Sequence, residues 1–230
     1  AITATGYSAY GVKAVTSSYY DTYTYTTAAG DVTVTTGSAS NIKATGYYAY
    51  GIHAQSENYV TVNNGGSILA TGDDFSIGIR TASYYTSTIT NSGTIDAAGD
   101  NAWAIVTYAE SATITNASSG KIFGAISTQY NGVADDLLTN NGKWYAGDIN
   151  VTQFGDGDDA IVNSSTGKIY MDDSYIDMGY GNNSFLNNGK LYANGDNFID
   201  MGYTGDGESG YIYGVFTNNG SSIHMEDGDV

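Results

Sequence analysis

The acids of one short stretch come nearest to a ligand site. Phe154-Gly155-Asp156-Gly157-Asp158-Asp159-Ala160-Ile161-Val162 follows the glycine- and aspartate-spaced nonapeptide of calcium β-rolls, except that Phe154 stands where the first glycine belongs. Carboxylates and turn carbonyls are hard oxygen donors, so Asp156, Asp158 and Asp159 are candidate calcium ligands. A β-roll, however, builds each site between consecutive nine-residue repeats. Here the next similar stretch, Gly179 to Phe185, comes a whole repeat later and has no acid; Gly205-Asp206-Gly207-Glu208 falls in an insertion. Gly-Asp turns also form without metal. Calcium is the single cofactor candidate.

Catalytic constellations are harder to assemble. Glycoside hydrolysis needs two carboxylates on facing positions, one with a raised pKa. Asp172, Asp173, Asp177 and Asp200 are available, but Asp177 and Asp200 recur in equivalent D-M-G turns, which suits a structural role. Eliminative cleavage of a uronate needs a base among cations, and Arg80, the one arginine, has no lysine cluster beside it in the sequence. His53 and His224 lie far apart in repeat order, without partners at ligand spacing, so neither a zinc site nor a catalytic triad is expected. The chain reads as a non-enzyme.

The elements behind these residues are set by a recurring asparagine: Asn64, Asn91, Asn116, Asn140, Asn163, Asn187 and Asn218. Two residues before each copy sits a large apolar side chain (Val62, Ile89, Ile114, Leu138, Ile161, Phe185, Phe216). Past a glycine turn comes another (Ile68, Ile95, Ile122, Trp144, Ile169, Leu191, Ile223). Repeats of about 20 to 50 residues mark solenoids, propellers or arrays. Longer segments overlay as well: Ile2-Thr3-Ala4-Thr5-Gly6 through Ala14, Ile42-Lys43-Ala44-Thr45-Gly46 through Ala54, and Ile95-Asp96-Ala97-Ala98-Gly99 through Val106. Each has two alternating segments split by a Gly-containing bend, then a third ending at the asparagine. Period-two alternation turns Ile and Ala inward and Lys, Thr, Asp or His outward.

The fold expected is therefore all-β: a right-handed parallel β-helix (β-solenoid) with three short strands per coil. Starts at residues 2, 42, 68, 95, 122, 144, 169, 191 and 223 give about nine coils, the last incomplete. At one strand spacing per coil the rod is about 40 Å long. Residues 1–230 read as one domain, with insertions near 17–29 and 203–213. The asparagines are expected to form a structural ladder, as stacked amides do in β-structure. Lys121, Lys143, Lys168 and Lys190 form a second, outward column. Solvated charge there discourages unwanted association, and a polyanion-binding stripe is the alternative.

Composition agrees. The chain has no proline, as expected where most strands hydrogen-bond on both edges. It has no cysteine and no run of 18 apolar residues, so neither disulfides nor direct membrane insertion is expected. The formal charge of −17 disfavours nucleic acid, and it is uneven: 8 acids and 3 bases (−5) in 1–115 against 16 acids and 4 bases (−12) in 116–230. Twenty-two tyrosines remain to be explained. Tyr19, Tyr20, Tyr23 and Tyr25 fall in the first insertion, and the doublets Tyr47-Tyr48 and Tyr84-Tyr85 should each direct one ring outward if extended. Exposed tyrosines offer rigid amphipathic contact area to sugars or proteins; strand propensity is the plainer account.

The units N-S-G-T-I (91–95), I-K-A-T-G-Y-Y-A-Y-G-I (42–52) and F-G-D-G-D-D-A-I-V-N (154–163) resemble passenger repeats of bacterial autotransporters of type V secretion. The resemblance runs along essentially the whole chain, but such repeats carry little information and no fixed functional residues. It implies an extracellular, cell-surface β-helix acting as adhesin, aggregation factor or filament component. Partners would then be a second copy, by homotypic or end-to-end association, or a surface glycan or protein. A tailspike-like β-helix that binds or cleaves glycans is the alternative.

Overall fold

The computed structural model describes residues 1–16, 30–128, 134–147, 150–201, 215–219 and 222–226. Both expected insertions, and with them Tyr19, Tyr20, Tyr23 and Tyr25, lie outside the described residues. The described residues contain strands and turns and no helix.

The chain winds as a parallel β-solenoid with three sides. The first side stacks Ile2–Val15, Asn41–Gln55, Ser67–Ala82, Thr94–Ala98, Lys121–Phe123, Lys143–Tyr145, Lys168–Asp172, Lys190–Asn194 and Ser222–Glu226. The three long strands bend over a corner and continue onto the second side, which goes on through Ala102–Tyr108, Ala125–Ser127, Thr152–Gln153, Tyr175–Asp177 and Phe198–Asp200. The third side stacks Val32–Thr36, Val60–Asn64, Thr86–Asn91, Ser111–Asn116, Leu137–Asn140, Ala160–Asn163, Ser184–Asn187 and Val215–Asn218. Fewer turns close on all three sides than the nine starts suggest. The start at Ile223 opens a strand with no second or third side among the described residues.

Register places like upon like. Ile2 pairs with Ile42, Ile42 with Ile68, Ile68 with Ile95, Ile95 with Ile122, Ile122 with Trp144, Trp144 with Ile169, and Ile169 with Leu191. Alternation decides which face is buried: Ile42 and Ala44 are inside while Lys43 is exposed. One apolar column runs from Val32 to Ala193. A smaller cluster of Ala9, Ala44, Ala49 and Ala70 fills the corner between the first and second sides, where the bend leaves room only for methyls.

Two glycine positions are dictated by this crowding. A Cβ on Gly51 would lie 2.3 Å from Cγ2 of Ile68 and 2.5 Å from the carbonyl oxygen of Gly78. Gly11 and Gly78 meet the same obstruction from Ile42 and Ile95. At the turn from third to first side, a Cβ on Gly120 would fall 2.1 Å from the Asn116 side-chain oxygen. The repeated Asn and the Gly that follows it are therefore one device.

Candidate functional site

The asparagine ladder is continuous. Nδ2 of Asn64 donates to Oδ1 of Asn91 at 2.8 Å, Asn91 to Asn116 at 2.9 Å, Asn116 to Asn140 at 2.8 Å and Asn140 to Asn163 at 2.8 Å. Asn163 donates to Asn187 at 2.7 Å and Asn187 to Asn218 at 2.8 Å. Amides from Asn91 to Asn163 also reach backbone carbonyls of the next turn, at Lys121, Lys143, Lys168 and Lys190. Thr36 begins the column by donating its hydroxyl to Oδ1 of Asn64 at 2.6 Å. Sequence reasoning missed Thr36, although the V-T-V-T-T run aligns it with Asn64. Buried amides need partners, and here each turn supplies those of its neighbour.

A second ladder, also missed, occupies the corner before the third side. The Ala112 N–H donates to Oδ1 of Asp136 at 2.6 Å, the Asp136 N–H to Oδ1 of Asp159 at 2.7 Å, and the Asp159 N–H to Oδ1 of Asn183 at 2.8 Å. Alongside it, the Asp158 N–H donates to Asp135 at 2.9 Å and the Asn182 N–H to Asp158 at 2.7 Å. The visible signal is the recurring pair Asp135-Asp136, Asp158-Asp159, Asn182-Asn183. This arrangement accounts for two of the three calcium candidates. Asp159 is fully buried, Asp158 lies on the outer column, and Asp156 is exposed with its backbone bridged to Tyr180. Among the described residues no group of three or more His, Cys, Asp or Glu side chains could hold a metal ion.

Burial dominates the acid corner. It pushes the Asp159 carboxyl up to about 8, with repulsion from Asp136, Asp135 and Asp158 adding and the Asp136 N–H opposing. It pushes Asp136 to about 6, opposed by Thr128 and the Ala112 N–H. Oδ2 of Asp159 is buried without a hydrogen-bond partner. Three of the acids weighed for hydrolysis accept hydrogen bonds from neighbouring residues. Asp177 pairs with Asp200 in register and accepts the Gly179 N–H at 2.9 Å. Asp173 accepts the Asp196 N–H at 2.8 Å, and Asp172 accepts the Asn194 amide at 2.6 Å.

Aromatic side chains stack outside. On the first side Phe123, Tyr145, Tyr170 and Tyr192 form a file with centroids 4.6, 4.6 and 4.8 Å apart and planes within 8°. The Lys121–Lys143–Lys168–Lys190 column runs beside it in register. That file escaped notice because its tyrosines are single, not doubled. In the doublets, adjacent rings do not point apart: Tyr47 meets Tyr48 edge-on at 4.9 Å, and Tyr84 meets Tyr85 at 5.0 Å. The chain bends at these corners instead of staying extended, so both rings remain outside the core. Tyr47 stacks on Tyr7 at 5.0 Å and Tyr85 on Tyr59 at 5.3 Å.

The second side brings Arg80 and His53 together. Lys13 pairs in register with His53, and His53 with Arg80, so the three stack turn upon turn. The Arg80 guanidinium donates to Nε2 of His53 at 2.8 Å and lies over the Tyr108 ring at 4.5 Å. Lys13 lies over Tyr10 at 4.9 Å, and Tyr10 stacks on Tyr50 at 4.8 Å. Burial, then Arg80 and Lys13, push His53 down to about 4, with Gln55 acting weakly the other way. Residues separated by 27 or more positions become neighbours because each turn returns to the same side. Among the described residues no helix is long and apolar enough to cross a membrane. Comparison with protein-family models, curated proteins and solved structures finds no match to the chain.

Proposed function

We propose that this chain is a rigid extracellular rod of a bacterial surface protein, of the kind type V secretion carries as a passenger, and that it mediates self-association or attachment. The observation that carries this reading is the in-register stacking, which repeats one outward side chain at every turn and so writes files of aromatic and charged groups along the axis. A solenoid of this kind gains its stability turn by turn and can be long without a large globular core. Exposed rings supply the contact area: Tyr7 is 70% exposed and Tyr84 71%. Aromatic anchors are enriched where protein surfaces meet.

The test is a variant carrying Tyr47→Ser, Tyr84→Ser and Tyr85→Ser. Sedimentation velocity and bead-aggregation assays should show weaker self-association or attachment, with the β-structure signal unchanged. Association and attachment equal to those of the parent chain would overturn the reading.

A further inference from the structure

We infer that Lys13, His53 and Arg80, framed by Tyr10, Tyr50 and Tyr108, form a binding site for a linear acidic polysaccharide of the polyuronate class. The site goes beyond the adhesive reading, which rests on the exposed corner tyrosines. The chain holds seven Lys and Arg against 24 acids, yet two of those cations and a histidine share one column on the second side. Among the described residues no carboxylate acts on His53; the side chains that do are Arg80, Lys13 and Gln55. Positive groups gathered without a counter-charge, in a protein this acidic, are complementary to an anion that arrives from outside.

Geometry narrows the anion. The two cations, Lys13 and Arg80, stand two strand steps apart, about 9.6 Å, with His53 between them. An extended polyuronate with two rings per turn returns a carboxylate to the same face at every second ring, a span close to that separation. An extended acidic peptide presents same-face carboxylates every second residue, about 6.6 Å apart, and loses register with the column. A guanidinium has five N–H donors, of which the bond to His53 uses one, so its fork can still grip a carboxylate. Arg80 is held against Tyr108 and His53, and Lys13 against Tyr10, which lowers the ordering cost of binding. Nε2 of His53 is taken by Arg80, and Nδ1 is buried without a hydrogen-bond partner, closed to a ligand. The imidazole is therefore a positioning group and not a base, and the site binds without cleaving.

The experiment is calorimetric titration of the full chain with polygalacturonate fragments, their neutral methyl esters and polyglutamate. Binding of polygalacturonate is expected, falling with added salt, with no unsaturated sugar product. The esters should not bind, and polyglutamate should bind more weakly. Lys13→Gln and Arg80→Gln should each weaken binding about tenfold, the scale of one charge-assisted hydrogen bond. Lys168→Gln, an equal charge loss on another side, should change it less than twofold. Lys13 is exposed, so its variant retains the fold and keeps the test decisive if Arg80→Gln does not. Absence of binding at low salt, equal binding of esters or polyglutamate, equal loss from Lys168→Gln, or formation of unsaturated product would overturn the assignment. A chain that self-associates but ignores polygalacturonate refutes this site and leaves the adhesive reading standing.

Discussion

The N–H of Asp136 donates to Oδ1 of Asp159, 2.7 Å away in the following turn, and Oδ2 of the same carboxyl is buried without a partner. A carboxyl so placed is stable only while it keeps its proton. Its folded pKa of about 8 lies above its ordinary value of 3.8. The stability it contributes is thus complete below about pH 4 and is lost as pH rises through about 8; Asp136, at about 6, acts in the same direction over a narrower window.

Asp159→Asn should therefore stabilise the protein at pH 8 by on the order of 3 kcal/mol and flatten the dependence of Tm on pH between 4 and 8. The substitution installs the residue that the next turn already carries at this place, Asn183. Thermal melts at pH 4, 6 and 8 measure the effect. A variant whose Tm falls with pH as steeply as the parent's would show that the carboxyl is not protonated in the fold.

How far the sequence revealed this molecule depends on periodicity. The asparagine ladder and the Ile column were legible because each position repeats one residue type. The lysine column was legible for the same reason, and the structure places it in register. Thr36 hid because threonine replaces asparagine at the head of the ladder. The double acid column hid because its members alternate between Asp and Asn, and the calcium-like spacing around Asp156 offered a ready competing account. The overlay of the first two long segments already sets Lys13 over His53, whereas Arg80 joins their column only through register.

Asn140 sits in the middle of the amide ladder, accepting from Asn116 and donating to Asn163 and to the Lys168 carbonyl. Asn140→Ala leaves buried groups on both neighbours short of a partner. A loss of about 2–4 kcal/mol is expected, more than one ordinary hydrogen bond is worth. Denaturant unfolding measures it; a loss below about 0.5 kcal/mol would mean that the ladder closes over the gap.

Gly51 has no room for a methyl, since its Cβ would overlap Ile68 and the carbonyl of Gly78. Gly51→Ala should destabilise by about 1–3 kcal/mol, the usual cost of overpacking a well-filled core. Gly37→Ala, where a Cβ meets nothing within 4 Å, is the matched control. Equal melting temperatures for the two variants would contradict the packing described here.

Register itself is open to direct measurement, because the chain has no cysteine of its own. Thr90 pairs with Thr115 in the next turn, and Thr115 with Thr139 in the turn after. Adjacent paired residues stand about 4.8 Å apart, inside the range a disulfide spans, and residues two turns apart do not. Oxidation of a Thr90→Cys, Thr115→Cys double variant should give near-complete intramolecular cross-linking, read by mass spectrometry of proteolytic fragments, while Thr90→Cys with Thr139→Cys should stay reduced. Cross-linking of the distant pair, or failure of the adjacent one, would contradict the stacked solenoid and everything built upon it.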